Sequence, residues 1–339
     1  MAAPAAAWPA TESTTAIDVG DPLPESLRVR DRIKKGELAG PRLFVSGRMI
    51  VRRRPGGAPG VTEKVGLTQP VSTPEEAAAA VEELANAGVD LIKAQSGLNA
   101  AYFGAIVGAA HKRGLKVHAH VYAEDEVREA FEAGVDVLQH VGSGGTHPPY
   151  TADLVRRIAQ SGRPIVDTIA HRSWIYPATE AFPERLQDPR LKEDFGPEIY
   201  DEVQKSFKNW HTLSYFNRID SELFFRERVA RQWIDSGAVM GMGTDSGTPM
   251  NFHTEALWRE MKAHVDMGMA PSRVLVAATR LNATRVLGRT DLGTIEPGKL
   301  ADVIVVDGDP NFDITALSRV EIVIVDGVIR KGAAHGATR

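Results

Sequence analysis

The sequence predicts an α/β barrel carrying a small all-β module, and three observations predict it. Seven short β-rich runs alternate with helical patterns, several of those runs end in titratable side chains, and the stretch from Gly293 to Lys331 changes to short strands separated by Asp-Gly turns. The runs are Thr14 to Val19, Arg42 to Gly47, Val89 to Ala94, Lys116 to Val121, Val135 to Val141, Pro164 to Ala170 and Ala238 to Asp245. A chain of 339 residues accommodates a barrel, which commonly takes about 250 residues, together with an additional module.

Taken in order, residues 1–13 are rich in Ala and Pro and read as a disordered tail, and residues 14–292 read as the barrel. Within it, Thr73 followed by Pro74 and Glu76 is a capping box that opens a helix running to the Ala87-Gly88 stop. Glu124 to Ala133 ends in the same way at Gly134, which can adopt the left-handed cap. Residues 171–235 break the rhythm and hold 12 of the chain's 22 aromatic residues. That concentration suggests either a helical lid over a pocket or an insertion packed on the barrel. Residues 293–333 form the small sheet, with Asp307-Gly308 and Asp326-Gly327 as turns, and residues 334–339 are a second tail.

Composition narrows the classes of function. The net charge of -4 provides no broad positive field for nucleic acid, and the one basic run, Arg52 to Arg54, sits beside Pro55 and Gly56 and reads as a solvated loop. With no cysteine, any metal must be held by nitrogen and oxygen. No stretch approaches the roughly 18 continuous apolar residues of a membrane span, and the N-terminal residues make a poor signal peptide. A cytoplasmic protein acting on a small molecule is therefore expected, with no nucleic-acid or membrane partner and with a homo-oligomer left open.

In such a barrel, polar residues at the carboxyl ends of strands face the active-site mouth. Lys93, His120, His140 and Asp245 occupy such positions. Alternation puts His118 and His120 on one strand face, pointing inward. A lone inward histidine is usually a core residue, but His140 ends the next run, so His120 and His140 could converge on one cation, with His118 deeper. Asp245 could ligate that cation, accept a proton or cap the following helix, and a flexible turn is expected after it. Lys93 in an interior strand reads as a salt-bridge partner, a Schiff-base nucleophile or a carbamylated ligand. Tyr122 and His171 are candidate substrate contacts, Tyr122 through a hydrogen bond to a carbonyl oxygen.

Asp90-Leu-Ile-Lys93, Val117-His-Ala-His120, Leu138-Gln-His140, Gly243-Thr-Asp245 and above all the run from Leu292 to Val306 resemble the amidohydrolase superfamily, in its imidazolonepropionase-like and Xaa-Pro-dipeptidase-like branches. The resemblance runs in order from Thr14 to Lys331 and implies a (β/α)8 TIM-type barrel with a β-sandwich built from both chain ends. It further implies that Lys93 is a carbamylated metal bridge, that His120 and His140 are ligands, and that Asp245 is both ligand and general base. The first-strand His-x-His pair of that family has no counterpart here, since Thr14 to Val19 matches the second strand. The expected fold is thus a TIM-type barrel lacking its first strand, with a partial β-sandwich; a start placed too late in the gene would account for both absences.

The expected activity is hydrolysis of a C–N bond in an amide, cyclic amide or dipeptide. One or two divalent ions, zinc foremost, would activate the water, and Asp245 would act as general base. The contrasting expectation is an impaired relative that serves as a scaffold or needs a missing N-terminal segment.

Overall fold

A computed structural model of the chain describes residues 13–53, 61–142, 147–189, 191–192, 200–201, 204–205, 207–213, 216, 219–248 and 250–332. Apart from Ser13, the expected tails at residues 1–13 and 334–339 lie outside the described residues, as do Arg54 of the basic run and Tyr215 of the aromatic insertion.

Most of the short β-rich runs become parallel strands because a helix follows and returns the chain to the same end of the sheet, β2 running directly into β3 being the exception. The main strands and helices are β1 (Thr15–Asp18), α1 (Leu23–Lys34), β2 (Arg42–Val45), β3 (Met49–Arg52), β4 (Thr68–Val71), α2 (Pro74–Ala87), β5 (Leu91–Ala94), α3 (Ala100–Lys112), β6 (Lys116–His120), α4 (Glu124–Ala133), β7 (Val137–Gln139), α5 (Ala152–Ser161) and β8 (Ile165–Val166). They continue with α6 (Ile219–Ser236), α7 (His253–Asp266), α8 (Pro271–Val276), β9 (Val303–Val306), β10 (Val320–Val325) and β11 (Val328–Lys331).

One parallel sheet has the order β4-β3-β5-β6-β7-β8, and β1 pairs with β2 in parallel beside it. The N–H of Asp90 donates to Val45 C=O at 2.9 Å, so residues 42–52 follow one bent path, its first half against β1 and its second against β4. Gly47 makes that bend at φ 61°, and a Cβ there would come within 2.5 Å of Leu23. Past β8, Ile165 bridges Met240 in parallel. The result is a TIM-barrel-like α/β fold in which β5 to β8 neighbour one another in chain order while β4 lies outside β3 at the edge.

Three expectations change. β3 and β4 were not among the seven runs, because each spans four residues and their Arg52, Gln69 and Pro70 mask the β signal; their ladder with each other supplies what local pattern does not. The last run, Ala238 to Asp245, makes a single bridge at Met240 and no ladder. Arg52 is not in a loop: it closes β3 with its guanidinium 5.7 Å from the Tyr102 ring, and Arg53 N–H donates to Val71 C=O at 2.8 Å.

The punctuation is as expected at α2. Thr73 is extended and its Oγ1 accepts the N–H of Glu76 at 3.2 Å, while the Glu76 carboxylate accepts the N–H of Ser72 at 2.6 Å. Gly88 closes the helix at φ 90°. Thr73→Ala should cost about 1 kcal/mol in the denaturant-unfolding free energy, and Thr73→Ser only a few tenths; equal stability of the alanine variant would disprove the cap.

The aromatic insertion builds a small core from Ile175, Tyr176, Leu186, Leu191, Phe207 and Ile219, shared with Met250 and Phe252 just before α7. It is tied to α7 by an ion pair of Arg185 with Glu255 and by Arg259 stacked over Trp174. Its last helix, α6, returns Val229, Ala230 and Trp233 to the main core. The C-terminal sheet has the order β11-β10-β9, antiparallel, and Asp326 and Gly327 both take positive φ in the β10–β11 turn. Arg42 on β2 pins it to the barrel through Asp302 and Asp326.

Candidate active site at the barrel mouth

Parallel pairing in register brings the carboxyl ends of β5, β6 and β7 side by side: Lys93 is opposite His118, and His120 is opposite Gln139. Lys93 is 2% exposed. Its ammonium donates to Gln139 Oε1, and the Gln139 amide lies 3.2 Å from His118 Nδ1. Burial pulls the Lys93 amine down to about 7 against the opposing pull of Asp245. His118 also hydrogen-bonds the Val286 backbone, so both its ring nitrogens are engaged and it is a satisfied core residue, held neutral by burial with a pKa of about 3.

His120 and His140 meet at the rim, with ring centroids 4.3 Å apart. Burial holds both well below the ordinary imidazole range, and nearby charge disfavours protonation further, from His140, Lys93 and Arg172 at His120 and from Lys93, His171 and Arg172 at His140. They therefore present lone pairs at neutral pH. His140 Nδ1 lies 2.8 Å from Thr168 Oγ1, whose hydroxyl donates to Asp167 C=O at 2.8 Å. That chain assigns the tautomer in which His140 Nδ1–H donates to Thr168 Oγ1.

Backbone strain accompanies this arrangement. His140 at φ 63°, Thr168 at φ 50° and Asp245 at φ 53° are all left-handed, and for β-branched Thr168 that conformation costs on the order of 1–3 kcal/mol. Asp245 is half-exposed and sits in electrostatic range of Lys93 and His171. The turn after it is not the free one expected: Asn251, 2% exposed, donates to Thr244 C=O at 2.8 Å and Asp245 C=O at 3.0 Å, because a buried amide must satisfy its hydrogens.

Tyr122 is half-buried, edge-on to His120 at 4.5 Å. His171 is buried, held neutral at about 3 mainly by desolvation, and accepts from Arg172 Nε at 3.2 Å. Lys93, His120, His140, Asp245, Tyr122 and His171 thus belong to one neighbourhood. Among the described residues, however, the His/Asp/Glu trio whose ligand atoms all lie within 4.8 Å of one another is a different one: Asp167, Glu260 and His264.

Sequence reasoning missed Gln139, Thr168, Arg172 and His147. The Arg172 guanidinium pairs with Glu222 and disfavours protonation of both rim histidines. His147 stacks on Tyr122 at 6.5 Å. Only Gln139 had a readable signal, as a polar residue inside a buried run beside His140.

Known proteins share parts of this sequence and its fold. Over 128 residues the chain is 42% identical to the imidazolonepropionase of Caldanaerobacter subterraneus, a match covering 36% of this chain and 30% of that protein. With the imidazolonepropionase of Streptomyces griseus it shares 32% over 103 residues, 30% of this chain and 26% of the relative, so the matched stretches span less than a third of these curated relatives. Among solved structures, a Xaa-Pro dipeptidase with methionine bound in its active site is 27% identical with a TM-score of 0.72, over 96% of this chain and 78% of that one. The ochratoxinase of A. niger shares the fold, at a TM-score of 0.72 and 18% identity over 98% of this chain and 75% of that one. The amidohydrolase family profile matches residues 13–330, nearly the whole chain, and the chain belongs to that family.

Proposed function

We propose that this protein is a metal-dependent hydrolase that cleaves a C–N bond in an amide, cyclic amide or dipeptide. The observation that carries the reading is the pair of neutral imidazoles, His120 and His140, with ring centroids 4.3 Å apart at the barrel mouth and His140 Nδ1 lying 2.8 Å from Thr168 Oγ1. Family membership and the dipeptidase and imidazolonepropionase relatives support it.

The side chains present fit a divalent cation. His120 and His140 offer lone pairs, and the Lys93 amine, lowered to about 7, is available in the neutral form that reacts with carbon dioxide to give a carbamate ligand. Nitrogen and oxygen donors of this kind suit zinc. A bound cation supplies Lewis acidity, polarising the carbonyl and lowering the pKa of water from about 15.7 to about 7.

The chain's own residues do the rest. Asp245, half-exposed and fixed by its anchored turn, takes the proton of the attacking water and passes it to the leaving nitrogen. Tyr122 donates to the developing oxyanion from beside His120. His171 and Arg172 line the insertion side of the site, where Arg172 adds fixed positive charge that favours substrates with an anionic group.

The test is a panel of dipeptides and cyclic amides presented to the full chain loaded with zinc. Cleavage should vanish with a chelator and return with added zinc. A chain that retains no cation and cleaves nothing in the panel would leave the scaffold reading instead.

A further inference from the structure

The end of β8 holds a conformation its own residues do not favour, since β-branched Thr168 stands at φ 50°. Such a conformation persists only where its surroundings over-determine it. Those surroundings come from α7, packed against the strand end. Glu260, fully buried, accepts the N–H of Ile169 at 2.9 Å with one carboxylate oxygen and the N–H of Ala170 at 2.7 Å with the other. One turn further along, His264 reaches Asp167 Oδ1 with Nε2 at 2.9 Å and the Glu260 carbonyl with Nδ1 at 2.9 Å. The residues on both sides of Thr168 are therefore gripped by one face of one helix. What that grip delivers is Thr168 Oγ1 at 2.8 Å from His140 Nδ1, followed by His171 and Arg172.

We propose that Asp167, Glu260 and His264 form a buried positioning clamp that holds residues 167–170 in the strained path needed to orient His140 at the mouth. The clamp rests on the reading of His140 as a ligand. None of the three touches substrate; each acts through the backbone.

The same trio could instead hold a second cation, since its ligand atoms lie within 4.8 Å of one another. The geometry favours the clamp. Both Glu260 oxygens already accept main-chain N–H groups and both His264 nitrogens have partners, leaving Asp167 Oδ2 as the one oxygen without a hydrogen bond. Burial opposes protonation of His264, but Asp167 and Glu260 outweigh it and raise the imidazole to about 9, so at neutral pH a proton already occupies the place a cation would take.

The experiment is long-range 1H–15N correlation on the metal-free full chain labelled with 15N-histidine, with the His140 signals assigned by His140→Gln. Wild type should show His140 as the Nδ1–H tautomer. In Glu260→Gln and in His264→Gln, both close in shape to the native residue, His140 should become a mixture of tautomers while His118 stays unchanged and circular dichroism shows a folded barrel. Thr168→Ser, which keeps the hydroxyl and eases the backbone, should preserve the wild-type tautomer. Zinc affinity measured by chelator competition should fall 10–100-fold in the two clamp variants.

An unaltered His140 in whichever clamp variant folds overturns the proposal, even if wild type binds zinc. Failure of wild type to bind zinc sinks the metal reading alone, because the tautomer comparison needs no metal. A second equivalent of zinc in wild type that disappears in His264→Gln would overturn the clamp and make the trio a metal site.

Discussion

Asp245→Asn should leave the barrel folded and lower kcat by about 10^3-fold at saturating zinc, within the range that general base catalysis contributes. Asparagine is the appropriate replacement because Asp245 stands at φ 53°, a left-handed conformation that Asn tolerates nearly as well as Asp. The neighbouring anchor is untouched, since Asn251 holds the main-chain carbonyls of residues 244 and 245 and not the carboxylate. Loss of the proton acceptor should therefore appear in kcat with KM little changed. Steady-state kinetics on whichever panel member is cleaved decides it: full activity in the variant would remove Asp245 from the mechanism.

The second large effect runs in opposite directions for stability and activity. Lys93→Met should abolish hydrolysis and make the metal-free chain more stable at pH 7. The buried amine is held at about 7 against an ordinary 10.5, almost entirely by desolvation. At 1.36 kcal/mol per unit, keeping it charged at neutral pH costs the fold about 4 kcal/mol. Methionine removes that cost, but it also leaves Gln139 Oε1 without its donor, which costs about 2 kcal/mol, so a net gain of about 2 kcal/mol is expected.

The pH dependence follows from the same shift. Between 7 and 10.5 the unfolded chain holds a proton on this lysine that the folded chain has released, so wild-type stability rises with pH across that window. The variant's curve should lack that rise. Urea unfolding at several pH values is the measurement, and a less stable Lys93→Met at pH 7 would show that the amine is compensated in the folded protein.

Much of the barrel was legible because its signals are local. Period-2 alternation in Lys116 to Val121 places His118 and His120 on one face, and Thr73, Gly88 and Gly134 mark helix ends through their own backbone chemistry. β3 and β4 were not legible. Four residues containing Pro70 or Arg52 carry no period, and they become strands through pairing, β4 with β3 and β3 also with β5.

The site divides in the same way. By itself the sequence determined which residues could bear the chemistry, Lys93, His120, His140 and Asp245, because strand ends in an alternating βα pattern must face one rim. It also pointed to the family through the motif from Leu292 to Val306. Only the tertiary structure decided that His118 is spent on Gln139 and Val286 while His140 turns its Nδ1 to Thr168, and that Arg172 lies close enough to both rim histidines to disfavour their protonation. It also decided that Asp167, Glu260 and His264 meet behind β8. The physical reason is that a side chain's protonation and tautomer are set by partners tens of residues away in sequence, and those partners exist only once the strands and the helices around them have packed.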